Sequence, residues 1–139
     1  MPNNFDPDAT ALLAGTFHFF ANLLPYWGRI DIEREPRSFH IELSSKHIGK
    51  DAIVVDISVG DEFVSITGII IPGSLRHQGI GKSLIRKLYE MTKGLGKRLE
   101  IFNMVDGFYS QMITRGAQPR PCESVEITDQ TDLARRAHV

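Results

Sequence analysis

The sequence predicts an α/β (α+β) fold in which a meander of strands leads into a strand, a loop, a helix and a further strand. Two observations carry this. Between Ser38 and Ile71, apolar residues fall at every second position in three consecutive runs, the period of half-buried strands. From Ile80 to Lys93 they recur at helical spacing, directly behind a stretch that contains Gly79 and Gly81. The 139 residues suffice for one domain, spanning 1–139, with a real core.

Asp6-Pro7 reads as an N-cap followed by proline at the first helical position. The helix is expected to run to about Leu24 and stop at Pro25. Leu13, Phe17, Phe20 and Leu24 form an apolar stripe on it, widened by Leu12, Phe19 and Leu23. Such a stripe is buried against the body of the protein, or else forms a groove for an acyl chain or a partner. Tyr26 to Pro36 reads as a connector of mixed charge.

Ser38 to Leu43 alternates, with Phe39, Ile41 and Leu43 on one face and Ser38, His40 and Glu42 on the other. Ala52 to Val59 is the next strand, and Gly60-Asp61 marks a tight turn. Glu62 to Ile71 is the third strand. Its continuously apolar end, Ile69-Ile70-Ile71, is expected to be buried on both faces. Gly68 inside it points to a bulge or to the close approach of another backbone.

The following helix turns Ile80, Leu84, Ile85, Leu88 and Met91 inward and is stopped by Gly94 and Gly96. Leu99 to Asn103 reads as a strand. Asp106 is placed to cap a short helix, Gly107 to Arg115, that Gly116 ends. Pro119 to Pro121 reads as a stiff turn and Val125 to Thr128 as one more short strand. Asp129 to Val139 is a polar tail or short helix.

Composition narrows the function. A net charge of −1, with no basic–aromatic stripe, argues against nucleic acid as a partner. No stretch is apolar for long enough to span a bilayer, and Met1 to Asp8 lacks the Lys or Arg of a signal peptide. Cys122 is the one cysteine, which excludes an intrachain disulfide and a cysteine-rich metal site and suits the cytoplasm. The histidines are scattered, with no metal-ligand spacing.

The informative stretch is Arg76-His77-Gln78-Gly79-Ile80-Gly81-Lys82-Ser83, between an apolar strand and a helix. A helix N-terminus offers unpartnered N–H groups and partial positive charge. Glycine lets a phosphate approach them closely, and Arg76 and Lys82 add formal charge. A P-loop would need glycine where Arg76 stands, and a dinucleotide fingerprint would need it where Leu84 stands. The third pattern, Arg/Gln-x-x-Gly-x-Gly/Ala, is met by Arg76 to Gly81 at every fixed position. A glycine-rich β–α turn with no ligand is the plainer reading.

On this hexapeptide the chain resembles the GCN5-related N-acetyltransferases (GNAT family). The resemblance implies a GNAT-like mixed, mostly antiparallel sheet flanked by helices. Against that pattern the N-terminal helix is atypical and the C-terminus short. It also implies acetyl-CoA as co-substrate, its pyrophosphate held by Arg76, His77, Gln78, Gly79, Ile80, Gly81 and Lys82. The backbone of Ile69, Ile70 and Ile71, on a strand splayed from its neighbour, would pair with the pantetheine arm. Asn103 resembles an asparagine that contacts the cofactor. Phe108-Tyr109 resembles the family's Phe-Tyr pair, which makes Tyr109 the acid that protonates the departing thiolate, or else a packed aromatic. The likeness covers Phe39 to Tyr109 and is poor at both ends.

Acetyl transfer to an amine needs a group that takes the amine's proton, directly or through water. Glu62, Glu100 and His40 are the candidates, with Glu62 preferred. The expected function is transfer of an acetyl group to a small-molecule or peptide amine by direct attack on the thioester. The alternative is a non-catalytic acyl-CoA-binding or protein-interaction module on the same fold. An exposed first helix and missing end strands, both expected from the sequence, point to a homodimer.

Overall fold

The computed structural model describes residues 5–22, 29–44, 52–71, 79–102, 104 and 106–133. Helix α1 spans Pro7–Ala21. The Asp6 carboxylate accepts from the Ala9 N–H at 3.0 Å, and Pro7 occupies the first turn, where it removes no helical hydrogen bond. Strands β1 (Arg29–Glu35), β2 (Ser38–Ser44), β3 (Ala52–Val59) and β4 (Phe63–Ile70) form an antiparallel meander. Helix α2 (Ile80–Gly94) crosses to β5 (Arg98–Ile101), which lies parallel to β4. Helix α3 (Asp106–Thr114) leads to the hairpin β6 (Gln118–Arg120) and β7 (Ser124–Ile127). The strands form one seven-stranded sheet in the order β1-β2-β3-β4-β5-β7-β6.

The alternation of β2, β3 and the first half of β4 is realised strictly. Phe39, Ile41, Leu43, Ile53, Val55, Ile57, Val59, Val64 and Ile66 are buried, and their neighbours in sequence are only half-buried or exposed. Leu12 and Phe20 of α1 join this core, as do Leu84, Ile85 and Leu88 of α2. Each such side chain removed from water contributes about 1.5–3 kcal/mol. The opposite side of the sheet presents Ser38, His40, Asp56, Ser58, Ser65 and Glu100, and this polar side carries the candidate site. No helix among the described residues is long and apolar enough to cross a membrane.

Several expectations need correction. The connector expected over Tyr26 to Pro36 contains β1, paired along its whole length with β2. Its charged side chains hid it, but a charged edge strand is a normal defence against further pairing. The turn expected at Pro119 to Pro121 contains β6. Proline is tolerated there because β6 is an edge strand. Its hairpin turns through Cys122 and Glu123 at φ 63° and 55°, with no glycine to announce it. The chain is therefore not short of end strands, which removes one reason for expecting a dimer.

In α1 the buried residues are Ala9, Leu12, Thr16 and Phe20, so the stripe is rotated from the expected one and Phe17 is 43% exposed. The end of β4 is not buried on both faces: Ile70 is 58% exposed. It lies on the polar side of the sheet, opposite Val54.

Candidate functional site

β4 and β5 share only four residue pairs, from Phe63–Arg98 to Ile66–Ile101. Their last contact is the Phe102 N–H donating to the Ile66 carbonyl at 2.8 Å. β4 then runs on to Ile70 with no β5 residue in register. Where they part, β4 carries a bulge: Asp56 faces Gly68 and Ile57 faces Ile66, leaving Thr67 as the extra residue. The bulge beside Gly68 is the feature that this glycine announced.

The direction of the freed backbone follows from the pairing. The Gly60 N–H donates to Phe63 in β4, whereas the Val59 N–H donates to Arg37, toward β2. Val55 is in phase with Val59, so its partner Ile69 holds a non-hydrogen-bonded position relative to β3. The N–H and C=O of Ile69 therefore point into the space that β5 has left.

The end of β4 meets the start of α2. A Cβ on Gly81 would lie 3.6 Å from Ile71 Cγ1, so the first turn of α2 abuts the end of β4. Gly79 caps the helix at φ 75°, a left-handed conformation that glycine adopts without penalty. A side chain there would meet nothing within 4 Å among the described residues. The Ser83 N–H makes the first helical bond, to the Gly79 carbonyl at 3.0 Å. The first N–H groups of a helix point out of its N-terminus. Ile80, Gly81 and Lys82 form this turn, all half-buried. Arg76, His77, Gln78 and Asn103 lie outside the described residues.

Only residues 102–105 separate β5 from α3, and Tyr109 is the fourth residue of that helix. Its side chain is half-buried and packs on the core, as does that of Phe108. α3 opens at Asp106 itself rather than after it.

The three candidate proton acceptors are separated by the fold. Glu62 precedes β4 at its paired end, about 13 Å along the strand from Ile66. Its carboxylate is 2.9 Å from Arg98 Nη1. Arg98 also binds Glu126 at 2.6 Å, and these hydrogen bonds, that of Glu126 foremost, raise the guanidinium above its ordinary value. Glu100 accepts from the Ser65 hydroxyl at 2.8 Å and lies 3.6 Å from Arg120. His40 is placed differently. Its Nδ1 lies 2.5 Å from Asp56 Oδ1, across β2 and β3. The pair lines a hollow of about 290 Å³ whose wall also includes Glu33, Glu35 and Thr67, the bulged residue.

Sequence reasoning missed Asp56. The signal was there, since His40 and Asp56 both occupy the polar phase of adjacent strands. Only the register makes them partners. A second hollow, about 370 Å³, lies by the C-terminal end of α2 between Tyr89, Lys93 and Asp129. Its charges are already paired: Lys93 is 2.9 Å from Asp129, and the Tyr89 hydroxyl donates to Asp129 at 2.5 Å. Among the described residues no group of three or more His, Cys, Asp or Glu has metal-holding geometry. Comparison of the chain with protein-family models, with curated proteins and with solved structures found no match.

Proposed function

We propose that the chain binds acetyl-CoA in the cleft between β4 and β5 and transfers the acetyl group to a primary amine, as a GNAT-like N-acetyltransferase. One observation carries the reading: β4 leaves β5 at Ile66, bulges at Thr67, and directs the backbone of Ile69 into an opening that ends at the glycine-led first turn of α2. An extended arm with amide groups pairs with such a strand as another strand would. A pyrophosphate suits the helix start, where N–H groups converge and Gly79 leaves room. The match of Arg76 to Gly81 to the family's hexapeptide supports the same ligand.

In this reading the Ile69 N–H is available to the thioester oxygen as negative charge develops on it. Tyr109 supplies the proton to the departing sulfur. The polar side of the sheet, open beside Thr67, receives the amine. The alternative, an acyl-CoA-binding module without transfer, draws on one observation: Glu62, the carboxylate expected to act, is held by Arg98 at the wrong end of β4.

Calorimetric titration with acetyl-CoA tests the proposal. Binding at micromolar ligand, with heat lost when Gly79 becomes aspartate, is the expected result. A folded protein with no binding at millimolar acetyl-CoA refutes it.

A further inference from the structure

We infer that His40, oriented by Asp56, is the proton acceptor for the amine, and that Glu62 is structural. The inference rests on the acetyltransferase reading and assigns a residue to it.

His40 Nδ1 lies 2.5 Å from Asp56 Oδ1; an ionised carboxylate can only accept, so Nδ1–H donates to it and the neutral ring keeps its lone pair on Nε2. A histidine held this way has one tautomer and one orientation, as a proton acceptor requires. The pair is neither buried nor remote: side-chain exposures are 33% and 41%. It lines the same hollow as Thr67, the residue at which β4 parts from β5. A His–Asp pair merely fastening two strands would contribute under about 1 kcal/mol and would need no such hollow.

The surroundings suit the task. Across β1, Glu33 stands opposite His40, and Asp31 and Glu35 lie in the same phase. Glu42 of β2 shares that face, as Asp56 of β3 does. Arg29 of β1 shares that phase but is paired with Asp31 at 2.9 Å, and the remaining carboxylates attract an ammonium substrate.

His40 Nε2 takes one proton from the incoming ammonium, leaving a neutral amine. The amine nitrogen forms a bond to the thioester carbonyl carbon, and the C–S bond breaks. Tyr109 gives its proton to sulfur and regains one from the new amide nitrogen. His40 then releases its proton to water. The net products are an amide, free CoA thiol and one proton.

The test uses the full chain with acetyl-CoA and three probe amines: 1,4-diaminobutane, lysine amide and benzylamine. His40→Gln should lower kcat by about 100-fold to 10,000-fold, with the acetyl-CoA Kd unchanged and the acid limb of the kcat/KM–pH profile gone. Asp56→Asn should displace that limb at unchanged Tm, which a purely structural role would not do. Glu62→Gln should retain its rate. Full activity in His40→Gln, or an acid limb that survives in it, overturns the assignment alone. Absence of acetyl-CoA binding by the unmodified protein, or binding with transfer to none of the amines, overturns the acetyltransferase reading and this assignment with it.

Discussion

The Asp56 carboxylate lies directly over Gly68, and a Cβ at position 68 would stand 2.9 Å from its Oδ2. Glycine in the bulge thus does two things. It stands beside the extra residue Thr67, and it leaves Asp56 room to hold His40.

Gly68→Ala should push the Asp56 side chain off this position and release the imidazole. The expected outcome is a fall in kcat of about tenfold or more, with acetyl-CoA affinity little changed. Steady-state kinetics beside calorimetry checks it, and an unchanged kcat would show that Asp56 does not need its place above Gly68.

At Gly79 the backbone is left-handed, so any side chain is strained, asparagine and aspartate least. Gly79→Asn and Gly79→Asp therefore differ mainly in charge. Both should fold. Gly79→Asp should lose acetyl-CoA binding far more completely than Gly79→Asn, because its carboxylate opposes the pyrophosphate. Equal affinities in the two variants would remove the phosphate from the start of α2.

Tyr109→Phe should slow turnover more than it weakens acetyl-CoA binding, since in the proposed mechanism the lost hydroxyl acts on the leaving sulfur. Comparing kcat with Kd for the one variant separates these effects. Equal rates would leave Tyr109 as a packing residue of α3.

Gly116 ends α3 at φ 94°, and a Cβ there would lie 2.8 Å from the Gln130 carbonyl oxygen. Gly116→Ala combines backbone strain with a clash against backbone that cannot swing aside. We expect a loss of roughly 1–3 kcal/mol, read as a lower midpoint in urea, with acetyl-CoA affinity intact in the folded fraction.

Burial, reinforced by the hydrogen bond to Asp129, pushes the Tyr89 phenol up to about 12. The folded protein holds that proton more tightly than the unfolded chain, where tyrosine ionises near about 10. This contribution to stability is complete below that value and is lost as pH rises through the folded one. Tyr89→Phe should flatten the decline in stability over that alkaline window. A decline of the same slope in the variant would assign it to other groups.

Much of this was legible along the chain because it depends on neighbours in sequence. Alternation in β2 and β3 expresses which side chains face the core. Asp6-Pro7 and Gly96 act within one helical turn, and Gly68 marks its own bulge. β1 and β6 escaped because both are edge strands, where charge and proline are allowed and the apolar period is weak. The exposure of Ile70 escaped for a related reason. An apolar run states a residue's chemistry, and whether a face is covered depends on what packs there.

The site divides along the same line. The glycines and Lys82 at the start of α2 are local to one stretch, so a glycine-led helix start could be read from the chain alone. Which group accepts a proton is a matter of partners distant in sequence. Glu62 and Arg98 are 36 residues apart, and His40 and Asp56 are 16 apart. Nothing in either segment says which will face the other. Strand register decides it, and register is set by the burial of the whole apolar face, because a slip of one residue would turn every core side chain toward water.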